Sequence, residues 1–122
     1  MPITTQFNGE FIATQMTGVV TLQDLLAHAE EIETLESSLP VTPHRIANLT
    51  AGMVGEFSYV EMDAYVAKRR AVRLKNPVKS AIVVGDAVQF GFSRMFQTLN
   101  NNPDIRVEIF QGEEAALAWL RE

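Results

Sequence analysis

The amino-acid sequence predicts an α/β domain in which five strands and four helices follow one another in the order ββαβαβαβα. Three observations carry that reading. Two short β-prone runs bracket Asn8-Gly9 near the start of the chain; helix-period stretches then take turns with apolar runs; and Lys79 to Val84 ends in an unbroken apolar stretch. A strand read that way is covered on both faces, as in a parallel sheet sandwiched by helices.

Ile3 to Phe7 and Phe11 to Met16 are the opening strands. Asn-Gly between such runs is a strong hairpin signal because both residues tolerate positive φ, so this pair is antiparallel. The first helix starts at Thr21 as N-cap, with Asp24 three residues on to complement the positive end of the helix dipole. Its apolar stripe is Leu22, Leu25, Leu26, Ala29 and Ile32, and Glu30, Glu31 and Glu33 occupy the other side. Leu39-Pro40-Val41-Thr42-Pro43 is a connecting loop, since proline disfavours helix at itself and just before it.

His44 to Leu49 reads as the third strand and residues 51–57 as a loop holding Gly52 and Gly55. Ser58 with Glu61 forms a capping box that starts the second helix, which runs to about Leu74 and ends before Asn76-Pro77. Lys79 to Val84 is the fourth strand. Gly85-Asp86 leads into the third helix, whose stripe is Val88, Phe92, Met95, Phe96 and Leu99. Gly91 inside it costs roughly 1 kcal/mol against alanine, which predicts a close approach to that backbone. Asn100-Asn101-Asn102-Pro103 ends the helix. Ile105 to Phe110 is the fifth strand, and Gly112 to Leu120 a last helix that docks Leu117 and Leu120. Strands separated by helices need crossovers, so the later strands are parallel.

The length of 122 residues suits one domain, 1–122, and an apolar share of 47% with 20% charged residues is that of a globular chain. There are no cysteines. Disulfides, thiolate metal sites and cysteine nucleophiles are thereby excluded, and a reducing, cytoplasmic setting is expected. The Met-Pro-Ile-Thr-Thr-Gln start has no signal-peptide pattern, and no apolar run approaches the roughly 20 residues of a membrane span. A net charge of −5 argues against nucleic-acid binding. The charge is unevenly spread. Residues 1–67 hold nine acids and a single base, Arg45, whereas Lys68, Arg69, Arg70, Arg73, Lys75 and Lys79 follow with no acid between them.

Three phrases, Ala67-Lys68-Arg69-Arg70-Ala71, Leu74 to Val83 and Phe90 to Leu99, together with the element order, resemble the SpoIIAA-like family, relatives of the STAS domains. The resemblance covers essentially the whole chain and implies a mixed five-stranded sheet flanked by helices. Among better-understood relatives are anti-sigma-factor antagonists, switched by phosphorylation of a serine at the start of the helix after the third strand. Here that neighbourhood reads Gly55-Glu56-Phe57-Ser58-Tyr59-Val60, so Ser58 matches the position, while the family's Asp-Ser-Ser-Gly turn is absent. Other relatives bind lipids in an apolar cavity.

No catalytic signature is present: neither Gly-x-Ser-x-Gly, nor a phosphate-binding glycine loop, nor a dinucleotide fingerprint. His28 with Glu31 is at most half of a metal site, and no second Glu-x-x-His unit exists. No catalytic residue, metal or cofactor is assigned. The expected function is a non-enzymatic regulatory or ligand-binding domain, and by resemblance the ligand is a lipid or another anionic or amphipathic small molecule. Its candidate site is Met53, Phe57, Ser58, Arg69, Arg73 and Phe90: apolar loop residues, a helix start and the neighbouring pair Arg69 and Arg73. The alternative is a STAS-type protein-interaction switch with Ser58 as the phosphosite. A small hydrolase or isomerase is the third reading and requires a histidine near a serine or carboxylate in a cleft. A homodimer is expected, because apolar loop residues on a small domain mark contact surfaces.

Overall fold

A computed structural model describes residues 2–54, 58–70, 74–100 and 102–122. The elements are β1 (Ile3–Phe7), β2 (Ile12–Val20), α1 (Leu22–Ser37), β3 (Arg45–Val54), α2 (Tyr59–Arg70), β4 (Val78–Val83), α3 (Ala87–Leu99), β5 (Ile105–Phe110) and α4 (Glu113–Leu120). They make one mixed sheet in the order β1-β2-β3-β4-β5, with β1 antiparallel to β2 and every later pairing parallel. The predicted order and class are the observed ones.

Sequential strand order fixes where the helices go. Each right-handed crossover steps one strand in the same direction, so α1, α2 and α3 must land on one face. That face holds the larger core: Leu25, Ala29, Met62, Tyr65, Val66 and Leu99 from the helices close over Met16, Leu49, Ile82 and Val107 from the strands. Fully burying side chains such as Leu25, Ile32 or Met62 contributes about 1.5–3 kcal/mol each. α4 follows β5 onto the opposite face, where Ala116 and Leu120 pack on Phe11, Ile46, Ala81 and Val83. It leaves the β1–β2 side of that face to water, which suits the Thr4, Gln6 and Gln15 side chains bordering a polar groove there. β4 lies between β3 and β5 and is covered on both faces, as its apolar run predicts.

The helix starts follow their caps. Thr21 and Asp24 form a full capping box on α1, with Thr21 Oγ1 accepting from Asp24 N at 3.2 Å and Asp24 Oδ2 accepting from Thr21 N at 2.8 Å. Asp86 caps α3 through Gln89 N at 2.8 Å. In the hairpin only Gly9 has positive φ. Asn8 instead accepts from Glu10 N and Phe11 N through Oδ1, so the turn is longer than a two-residue one.

Four expectations are corrected. β2 runs on to Val20 rather than stopping at Met16, with a register shift between Gln15 and Thr17. β3 runs on to Val54, so Gly52 and Met53 belong to a strand and not to a loop. Gly52 suits that place because a Cβ there would meet the Met16 Cβ at 3.0 Å. In α3 Phe92, Met95, Phe96 and Leu99 of the expected stripe pack in or against the core, but Val88 is exposed and the polar Gln89 and Ser93 are buried instead. Gly91 has open space where a Cβ would stand, so no neighbour approaches its backbone.

Candidate functional site

Parallel strands all finish at the same edge of a sheet, so the exits of β2, β3, β4 and β5 and the first turns of all four helices gather at one end of the molecule. β3 reaches furthest. Its Asn48 pairs with Val83 at the end of β4, and Leu49 to Val54 continue beyond it alongside β2. The buried Gln89 holds that overhang: Nε2 donates to Gly52 O at 3.0 Å, and Oε1 accepts from Gly85 N at 2.7 Å. A single amide therefore ties the far end of β3 to the β4–α3 loop.

With Gln89 turned inward, its neighbours Val88 and Phe90 are rotated about 100° away on either side and face out. The exposed large apolar residues at this end are Val19 (61%), Met53 (69%), Val60 (76%), Val88 (64%) and Phe90 (46%). Val19 and Met53 are direct partners in the β2–β3 register. A groove of about 560 Å³ opens beside them, lined by Val84, Gly85, Asp86, Ala87, Phe90 and Gln111. Ser58 is exposed at the same end. Its Oγ accepts from Glu61 N at 3.1 Å, and its own N–H donates to Glu61 Oε1 at 3.1 Å, which is the predicted capping box.

Of the sequence-derived candidates, Met53, Ser58 and Phe90 are thus brought to one end. Phe57 and Arg73 fall outside the described residues, as does the side chain of Arg69. Val19, Val60 and Val88 were missed as surface residues. Strand and helix periodicity says nothing about which end of an element protrudes, so their exposure had no local signal.

Two bases of the Lys68–Lys79 stretch serve helix ends, as their dipole would favour. Lys75 Nζ donates to the carbonyls of Ser37, the last residue of α1, and of Leu39 just after it, and Lys79 Nζ to Trp119 O at 3.0 Å near the end of α4. The Lys79 ammonium also lies 5.3 Å from the Trp119 ring centre.

Beneath α1 the apolar core also encloses polar side chains. Glu36 and Arg45, both buried, form an ion pair, and His28 Nδ1 lies 3.1 Å from Thr5 Oγ1. His28, Arg45, Tyr65 and Ser80 help line a cavity of about 60 Å³ between sheet and helices. That volume accommodates a few waters, against roughly 300–1,000 Å³ for a typical ligand pocket. His44 accepts from Lys79 N through Nδ1 at 2.9 Å. Burial first, and the Lys79 charge second, hold the His44 imidazole below its usual pKa. Among the described residues, no group of three or more His, Asp and Glu side chains is arranged to hold a metal ion.

No family model and no curated protein sequence matches the chain. Solved structures do. A protein of the DUF3478 family with a SpoIIAA-like fold from Shewanella loihica PV-4 superposes with a TM-score of 0.58 at 18% identity, over 97% of this chain and 91% of that one. An anti-sigma factor antagonist from Mycobacterium paratuberculosis superposes with a TM-score of 0.61 at 12% identity, over 98% of this chain and 93% of that one. No described helix is long and apolar enough to cross a membrane. One mixed sheet with three helices on one face and a fourth on the other, shared over nearly the whole length with both structures, is the SpoIIAA-like fold, and this chain has it.

Proposed function

We propose that this chain is a non-enzymatic protein-interaction domain of the anti-sigma-factor-antagonist type, docking a partner protein on the end of the sheet that carries Met53, Val60 and Phe90, with Ser58 as its switch. The observation that carries this reading is the clustering of five exposed apolar side chains at the end where Ser58 is exposed. Scattered apolar residues are ordinary, but several gathered at one end favour a contact surface. The likeness in fold to an anti-sigma factor antagonist supports the same role. A small internal cavity offers little room for a lipid, so the interaction reading stands ahead of the ligand-binding one.

The switch has a physical basis. A phosphate on Ser58 would sit at the start of α2, where free amides and the dipole favour an anion. Glu61 already occupies part of that position through the Ser58 N–H. A dianion on Oγ would repel its carboxylate, exchanging one cap for another and altering the charge beside Val60.

The test is a pull-down from the native cell with wild type, Ser58→Asp and Val60→Glu, combined with mass spectrometry of the peptide containing Ser58. Retention of a partner by wild type, its loss with Val60→Glu, a change with Ser58→Asp and a phosphorylated Ser58 peptide are expected. Identical partner sets for all three proteins would overturn the proposal.

A further inference from the structure

We infer that the occupant of this end is a basic protein segment, which places an arginine or lysine side chain in the groove between the Asp86 carboxylate and the Phe90 ring. The inference rests on the docking reading above and names the chemistry of its partner.

Charge is the first argument. Among the described residues, the charged side chains in the strand exits and first helical turns at this end are Asp24, Glu61, Asp86, Glu113 and Glu114, with no Lys or Arg. Each helix start carries its own acid: Asp24 and Glu61 complete the capping boxes of α1 and α2, Asp86 caps α3, and Glu113 and Glu114 open α4. Helix N-termini commonly bind anions. Here a carboxylate accepts from one amide at the start of each of α1, α2 and α3, and the local charge is negative, so a separate anionic occupant would meet repulsion and a cationic one attraction.

The groove itself is the second. Asp86 and Phe90 both line it, one helical turn apart on α3 and therefore neighbours along one side of the helix. The Asp86 carboxylate spends one acceptor position on Gln89 N, of about four it possesses. Phe90 is nearly half exposed. A carboxylate beside an open aromatic ring suits a guanidinium or ammonium on an apolar stem, by ion pairing and by cation–π attraction. The groove of about 560 Å³ has room for one such side chain. The surrounding Met53 and Val88 then meet the apolar part of the segment, so the geometry selects a chain with alternating basic and apolar side chains over a small ion.

The probes are two synthetic amphipathic helical peptides with the same leucine stripe, one flanked by arginines and the other by glutamates. Each is titrated into the isotope-labelled full chain, and amide shifts are followed by NMR. The arginine peptide should perturb Met53, Val88 and Phe90, and the glutamate peptide should not. Asp86→Ser keeps a competent N-cap while removing the charge, and Phe90→Leu keeps apolar bulk while removing the ring. Each should weaken the arginine peptide about threefold to tenfold. If the glutamate peptide binds this end equally well, or both variants bind the arginine peptide as wild type does, the basic-partner inference fails while the docking reading survives. Shifts centred on Glu30, Glu31 and Glu33 instead would mean general attraction to acid and overturn the inference. If neither peptide touches this end, the inference fails and the docking surface with it.

Discussion

Arg45 Nη2 lies 2.6 Å from Glu36 Oε2, with Nε of the same guanidinium at 2.8 Å, and both side chains are buried. The only base among the first 67 residues is therefore spent inside the core, holding an acid at the last turn of α1 that the helix dipole alone would disfavour. Removing Glu36 takes a buried carboxylate from a buried guanidinium. Glu36→Ala should cost about 3–5 kcal/mol in urea unfolding, whereas Glu36→Leu with Arg45→Met should lie much closer to wild type. Equal losses for the single and double variants would show that packing, not the charge pair, sets the cost.

Two glycines should respond in opposite directions. Gly91 is exposed, helical and has open space at its Cβ position, so Gly91→Ala should raise stability by about 0.5–1 kcal/mol. At Gly52 a new Cβ would press on Met16 between two paired strands, and Gly52→Ala should lower the melting temperature. Parallel thermal melts by circular dichroism check both signs.

Ser58 offers a control for any phosphorylation experiment. Ser58→Ala removes the cap of α2 and should cost about 0.5–2 kcal/mol, while Ser58→Asp retains a capping oxygen and should melt close to wild type. A change in partner binding by Ser58→Asp at unchanged stability then reports charge and not unfolding.

Stability should also fall on mild acidification. The His44 imidazole is held below its usual pKa in the folded protein, so the unfolded chain binds the proton more readily. The contribution is fully present above the unfolded value of about 6.5 and is lost as pH drops below it, through the lower folded value. Protonation removes the acceptor for Lys79 N. Urea midpoints measured downward from pH 7.5 should decline for wild type, and His44→Gln should flatten the part of that decline owed to His44. An NMR titration midpoint for His44 at or above 6.5 would contradict this account.

What could be read from the sequence was whatever depends on near neighbours. Thr21 with Asp24, and Ser58 with Glu61, lie three residues apart and mark their helix starts correctly. The run before Gly85 identified a covered strand because burial on both faces needs only apolar side chains in a row. What escaped depends on partners distant in sequence. Gln89 looks like a surface residue and Val88 a core one, yet the overhang of β3 supplies a carbonyl and the β4–α3 loop an N–H, and one side-chain amide serves both. Gly52 reads as a loop residue until Met16 is seen against it. The burial of Arg45 could not be inferred from a charge count, since its partner lies across the α1–β3 loop.

The distribution of charge along the strand axis has a kinetic consequence. Among the described charged residues only acids stand where the parallel strands finish, while at their beginnings bases and acids are mixed, with Arg121 beside Glu10. The acidic Met53 end should therefore draw a cationic surface toward it during encounter. Added salt should slow such encounters far more than it shortens the life of a complex once formed.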